Sequence, residues 1–182
     1  AARLWWMFRW VGHEAVWVLD GGLGAWKESG GSLEKGLPDW TSTNFRFHQA
    51  HHEWIATAQE IPSLLERGSV LLDARLKDRY HGVSEPIDHV AGHVPGAINY
   101  PFILNLKSNG QFHEPSMLKE KFVRGFDGKN HDLIAMCGSG VTACHLLLAL
   151  KIAGFADGRL FVGSWSEWIR DPNRPIKVGP DP

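Results

Sequence analysis

With 182 residues, 43% of them hydrophobic, and a net charge of −1, the chain can bury one ordinary core and a fragment of a second. It lacks the charge to draw nucleic acid to itself, and its nine tryptophans are scattered through helical patterns rather than interleaved with basic residues. No run of about twenty apolar residues occurs, so neither a membrane span nor a membrane partner is expected.

The opening of the chain matches a later part of it. A slide of 142 positions places Ala1 on Ala143, Leu4 on Leu146, Gly12 on Gly154, Val18-Leu19 on Leu160-Phe161, Gly21 on Gly163 and Trp26 on Trp168, without a gap. Each copy reads as a helix, a glycine stop, a short apolar strand, a glycine turn and a helix carrying a tryptophan. Residue 1 then lies just past the position matching Thr142, so residues 1–30 are expected to be the closing part of a first domain. The Gly, Ser and Pro content around residues 31–40 marks a linker, and residues 41–182 make a second domain.

Within that domain, Phe45-Arg-Phe-His48 alternates like a strand. Residues 57–67 read as a helix with Thr57 as N-cap and Glu60 at N3. Val70-Leu-Leu-Asp73 and Gly96-Ala-Ile-Asn-Tyr100 read as strands, and residues 115–124 as a helix. Leu133-Ile-Ala-Met136 is a buried strand leading into Cys137-Gly-Ser-Gly-Val-Thr142 and a long apolar helix. Alternating β and α units predict an α/β fold with a mainly parallel central sheet flanked by helices.

Cys137 stands where strand turns to helix. The unpaired N–H groups and positive dipole end of a helix N-terminus favour an anion, so a thiolate nucleophile is expected there. Gly138 and Gly140 flank Ser139 in a loop whose N–H groups can form an anion-binding nest with those of Val141 and Thr142. Cys144, inside the apolar run, is expected to be core. The two cysteines are poorly placed for a disulfide, which fits a reducing compartment such as the cytoplasm.

Asp73-Ala-Arg75 and Arg79 follow a strand end, so their charges should share a rim with the cysteine loop. Arg79 is assigned to a small anionic substrate, and Arg75 to a structural pair with Asp73. His48, His51 and His52 lack the carboxylate or cysteine partners of a metal site, so no metal is expected. His93, in Gly92-His93-Val-Pro95-Gly96-Ala97, is expected to hydrogen-bond within that turn beside the site.

Asp73-Ala-Arg75, Arg79-Tyr80, Glu85-Pro86, Gly92-His93-Val-Pro-Gly-Ala97 with Asn99, and Cys137-Gly-Ser-Gly-Val-Thr142 together resemble the catalytic C-terminal domain of two-domain rhodanese-like sulfurtransferases. Residues 1–30 resemble the end of the inactive N-terminal domain. The resemblance implies that Cys137 takes a sulfane sulfur from a small anionic donor as a persulfide and passes it to a thiol, a thioredoxin-like protein or cyanide, with no cofactor. Members preferring 3-mercaptopyruvate carry Gly-Ser-Gly after the cysteine, as here, whereas those preferring thiosulfate carry basic residues. Mercaptopyruvate-specific members often have arginine where this chain has Ile87. They are also thought to use Asp and His from a segment expected before residue 1.

Three other readings compete. Thiosulfate:cyanide transfer is the alternative donor choice, and a non-catalytic module that carries persulfide or binds partners is the alternative class. Phosphatases built on the same fold need an arginine at the far end of the loop, where this chain has Ala143.

Overall fold

The computed structural model describes residues 1–47, 49–126 and 132–182. The elements in chain order are α1 (Ala2–Trp10), α2 (Gly22–Glu28), β1 (Ile55–Ala56), α3 (Ile61–Glu66), β2 (Val70–Asp73), α4 (Lys77–Tyr80) and β3 (Ile98–Asn99). They continue with α5 (Pro115–Phe126), β4 (Leu133–Met136), α6 (Val141–Ile152), β5 (Arg159–Phe161) and α7 (Ser164–Trp168). The strands form one sheet in the order β1-β5-β4-β2-β3, and every pairing is parallel. The fold is therefore α/β, and the two strands read from Val70 and Leu133 have the expected limits.

Successive strand residues point to opposite faces, and here both faces are packed. Leu72, Ala135 and Leu160 join one core cluster with Leu118, Phe122 and the body of α6. Leu71, Ile134, Met136 and Phe161 join the other with Ile61, Leu64, Trp165 and Trp168. Helix α6 is buried continuously from Ala143 to Leu150 apart from the half-buried His145. A helix apolar on all sides needs a cover as well as a floor. The cover is α1, whose Trp5 and Trp6 are buried in the same cluster.

Five sequence expectations are corrected. Residues 45–47 form no strand, and His48 lies outside the described residues. Phe45 packs edge-on against Phe8 and His13 instead of meeting a sheet neighbour. Val18-Leu19 also forms no strand. Val16 and Val18 pack against the core, but among the described residues no strand pairs with them, whereas the matching β5 has β1 and β4 on either side.

The helix expected over 57–67 begins only at Ile61, with Pro62 in its first turn, and residues 58–60 form a turn. Half of the capping box survives, because the Thr57 N–H and hydroxyl both donate to Glu60 Oε2, at 2.9 and 2.7 Å. The helix stops at Gly68, whose φ of +88° belongs to the left-handed region. The strand expected over 96–100 is reduced to Ile98–Asn99, while α5 runs two residues past Arg124.

Candidate active site

Neighbouring strands β2 and β4 pair Asp73 with Met136. The residues that follow both strands therefore leave the sheet side by side at its carboxyl edge. Ala74 donates its N–H to Met136 O at 2.8 Å, and the next residue of β4's strand-to-helix loop is Cys137. The loop is also tied to the segment after β5. Cys137 N–H donates to Ser164 Oγ at 3.0 Å, Trp165 N–H to Cys137 O at 3.0 Å, and Ser166 N–H to Gly138 O at 2.9 Å.

Cys137, only 2% exposed, lies on the wall of a cavity of about 230 Å³. Gly138, Ser139, Val141 and Thr142 form the loop side of this cavity, and Arg79, Ile87, Asp88 and Ser166 form the other. Among the described residues, no protein acceptor takes the N–H groups of residues 138–141. These donors are left for an anion.

Gly140 is not on this wall. Its φ is +77°, and a Cβ there would lie 2.6 Å from Val162 O. It serves to turn the chain into α6, and only glycine fits both conditions. Cys144 is buried as expected, its thiol donating to Gly140 O at 3.1 Å, and burial pushes its pKa up to about 12.

The two arginines share Glu85, which lies 3.5 Å from Arg75 Nη1 and is held closely by Arg79, but they differ in their other surroundings. Arg75 is buried, clamped on Asp73 through Nε and Nη2 with a shortest distance of 2.6 Å, and donates to Gly92 O at 2.8 Å. Its guanidinium lies 4.7 Å from the Trp165 ring centroid. Neither Arg75 nor Asp73 lines the cavity; the pair holds the loop after β2.

Arg79 does line it. Its Nε donates to both Glu85 carboxylate oxygens at 2.8 and 2.9 Å, and its Nη2 lies 3.2 Å from Asp88 Oδ2. Nη1 has no hydrogen-bond partner among the described residues. A Cβ added to Gly138 would lie 3.3 Å from Arg79 Nη2, which puts the guanidinium directly against the cysteine loop. Burial raises the Glu85 carboxyl, but hydrogen bonds from Arg79 and from the Ile87 and Asp88 N–H groups outweigh it, and the net shift is downward.

His93 is fully buried and off the cavity wall. Its ring stacks on Tyr80, and its nitrogens face Tyr80 O at 2.8 Å and Asp181 O at 3.0 Å. The expectation of a bond within its own turn is thus corrected: His93 ties the turn to α4 and to the end of the chain. Burial keeps its pKa below the ordinary value, despite those two carbonyl oxygens.

Sequence reading passed over Asp88, Ser164 and Ser166. Ser164 has φ of +53° in a non-glycine residue, and its hydroxyl also donates to Phe161 O at 2.8 Å. The available signal was the repeat, because Ser164 matches Gly22, whose φ is +60°. Asp88 and Ser166 meet from 78 positions apart in the chain, Ser166 Oγ donating to Asp88 Oδ1 at 2.8 Å; no local pattern announces that pair.

A wholly parallel sheet, a cysteine at the head of the helix following its central strand and a loop of free N–H groups define the class of protein. The chain belongs to the rhodanese-like domain family, whose profile matches residues 57–171. Over 98% of its length it is 46% identical to a probable 3-mercaptopyruvate sulfurtransferase of Pseudomonas aeruginosa. Over 92% it is 38% identical to the Homo sapiens 3-mercaptopyruvate sulfurtransferase. Over 97% it is 34% identical to thiosulfate/3-mercaptopyruvate sulfurtransferase 2 of Arabidopsis thaliana. It spans 64%, 57% and 58% of those relatives, respectively. An anaerobic ergothioneine biosynthesis enzyme from Chlorobium limicola shares the fold, with a TM-score of 0.88 over 98% of this chain and 45% of that one at 23% identity.

Proposed function

We propose that the chain is the catalytic portion of a 3-mercaptopyruvate sulfurtransferase, with Cys137 as nucleophile and persulfide carrier. The observation that carries this reading is the cavity in which Cys137, the free loop N–H groups and Arg79 converge. The Cys137 thiolate attacks the donor sulfur, so that an S–S bond forms and the donor's S–C bond breaks. The electron pair left on that carbon takes up the proton of the donor thiol, giving pyruvate and a cysteine persulfide. A thiolate of a small thiol or a thioredoxin-like protein, or cyanide, then attacks the outer sulfur and releases the Cys137 thiolate. The N–H groups of residues 138–142 stabilise the anion in each state. Arg79 holds the donor carboxylate through Nη1, and Ser139 hydrogen-bonds the donor.

Charge favours 3-mercaptopyruvate over thiosulfate. Arg79, the one cation on the cavity wall among the described residues, is already faced by Glu85 and Asp88, so a monoanion is accommodated more easily than a dianion. The repeat supports the domain assignment: residues 1–30 close a first rhodanese-like domain, 31–40 link, and 41–182 form the catalytic domain. Two free, buried cysteines and, among the described residues, no helix long and apolar enough to cross a membrane fit a cytoplasmic setting.

Intact-mass spectrometry after separate exposure to 3-mercaptopyruvate and thiosulfate tests the reading. One added sulfur from mercaptopyruvate, absent in Cys137→Ser, is expected. Loading by thiosulfate alone would make the chain a thiosulfate sulfurtransferase, and loading by neither would overturn the assignment. Arg79→Ala should raise KM for mercaptopyruvate about tenfold or more with a smaller loss in kcat; unchanged kinetics would remove Arg79 from the site.

A further inference from the structure

We propose that Asp88 is a specificity-determining residue, a built-in carboxylate that screens donors by charge. The inference rests on the donor pocket assigned above. Of the two carboxylates on Arg79, Glu85 is a fixed counter-ion: it is 3% exposed, takes Nε and Nη2 of Arg79, accepts two backbone N–H groups, and does not line the cavity. Asp88 does line it. One Asp88 oxygen faces Arg79 Nη2 at 3.2 Å and the other accepts from Ser166 Oγ at 2.8 Å. Ser166 is in turn bonded to Gly138 O of the cysteine loop. Asp88 thus bridges the cavity from the arginine to the loop.

The ion-paired group behind and on this wall holds two positive charges, Arg75 and Arg79, against three negative, Asp73, Glu85 and Asp88. Glu85 neutralises Arg79, and Asp88 leaves a net negative charge beside the incoming anion. Repulsion grows in proportion to the ligand's charge, so Asp88 penalises a dianion about twice as heavily as a monoanion. Removing the charge should help both, the dianion more. Asp88→Asn keeps the shape and an oxygen for Ser166, so the loop geometry persists while the charge goes.

The test is calorimetric titration of the native chain, Asp88→Asn and Asp88→Glu with unreactive probes, pyruvate as monoanion and sulfate as dianion. Asp88→Asn should shift the ratio of the two affinities toward sulfate by about tenfold, the shift shrinking at high ionic strength. Asp88→Glu should keep the native ratio. Equal ratios in native and Asp88→Asn, or no binding of either probe to either protein, would overturn the proposal. Mass spectrometry of the same proteins is read separately. A shifted anion preference with no persulfide on Cys137 from either donor upholds the charge screen and removes the sulfurtransferase reading.

Discussion

Residues 1–28 and 143–170 carry the same pattern and share much of their backbone, yet differ in what that backbone does. Helix α1 ends at Trp10 and α6 at the matching Ile152. Gly12 and Gly154 leave them with φ of +81° and +83°, and Gly22 and Ser164 open the next helices at +60° and +53°. Arg9 and Lys151, at equivalent positions, even reach the same carboxylate, Asp157. Burial separates the two: Leu4 is 58% exposed and Trp26 41%, while Leu146 and Trp168 are 0% and 2%. Helix stops and turns are local properties, written in a few residues. Strand formation and burial depend on neighbours, and only the second copy has a sheet beneath it.

The comparison breaks most sharply at the cysteine loop, which the second copy alone displays. Gly140→Ala would place a methyl group in left-handed backbone and 2.6 Å from Val162 O, so the loop must move. The expected outcome is a fall in persulfide loading rate of a hundredfold or more, against a stability loss of only about 1–3 kcal/mol. Loading kinetics beside a urea titration separate the two. A variant that loads at the native rate would show that the loop tolerates displacement.

Next in size is the tryptophan pair. Trp168 fills the core beside α3 and donates its ring N–H to Pro175 O at 2.9 Å. Trp168→Ala should cost about 3–5 kcal/mol. Trp26→Ala, at the matching position, should cost about 1 kcal/mol or less, since its ring is partly in water and its N–H bonds only to Ser32 O. Chemical denaturation of both variants checks the contrast, and equal losses would mean that the first copy is covered in solution.

The same distinction explains how much was legible in the sequence. The strands Val70–Asp73 and Leu133–Met136 were readable because both faces are buried and the residues, apart from the closing Asp73, are continuously apolar. Cys137 and its glycines were readable because a strand, a turn and a helix meet within six residues. The Arg79–Asp88–Ser166 bridge was not, because its last member arrives from the segment after β5 and polar residues on loops carry no periodicity. Val18-Leu19 misled for the converse reason: its residues suit a strand, but pairing needs a neighbour that composition cannot supply.

His145 matches Arg3 in the repeat, and the pair sharpens the comparison through pH. Arg3 is exposed, whereas the half-buried His145 stacks on Phe112 against the core, with Nδ1 buried and without a partner among the described residues. Burial lowers its pKa to about 4. The unfolded chain therefore takes up the proton first as pH falls through about 6.5, and stability drops across the window down to about 4. Between pH 7 and pH 5 the loss from this one group should be about 2 kcal/mol. Denaturation at the two pH values, with His145→Phe as reference, checks it; a variant with the same pH dependence as the native chain would move the origin elsewhere.

The smallest effect concerns what the two copies share. Gly12 and Gly154 hold nearly the same φ, and a Cβ at Gly154 would meet nothing within 4 Å. Replacing it by alanine therefore costs only the conformational strain of a left-handed residue, about 1 kcal/mol, and Gly12→Ala should cost the same because the backbone is the same. Asparagine, which tolerates that region, should recover roughly half of the loss at either site. Thermal unfolding of the four variants decides it. If Gly154→Ala cost several times more than Gly12→Ala, backbone strain would depend on the surrounding core, and the division between locally written turns and neighbour-dependent burial would fail where it is simplest.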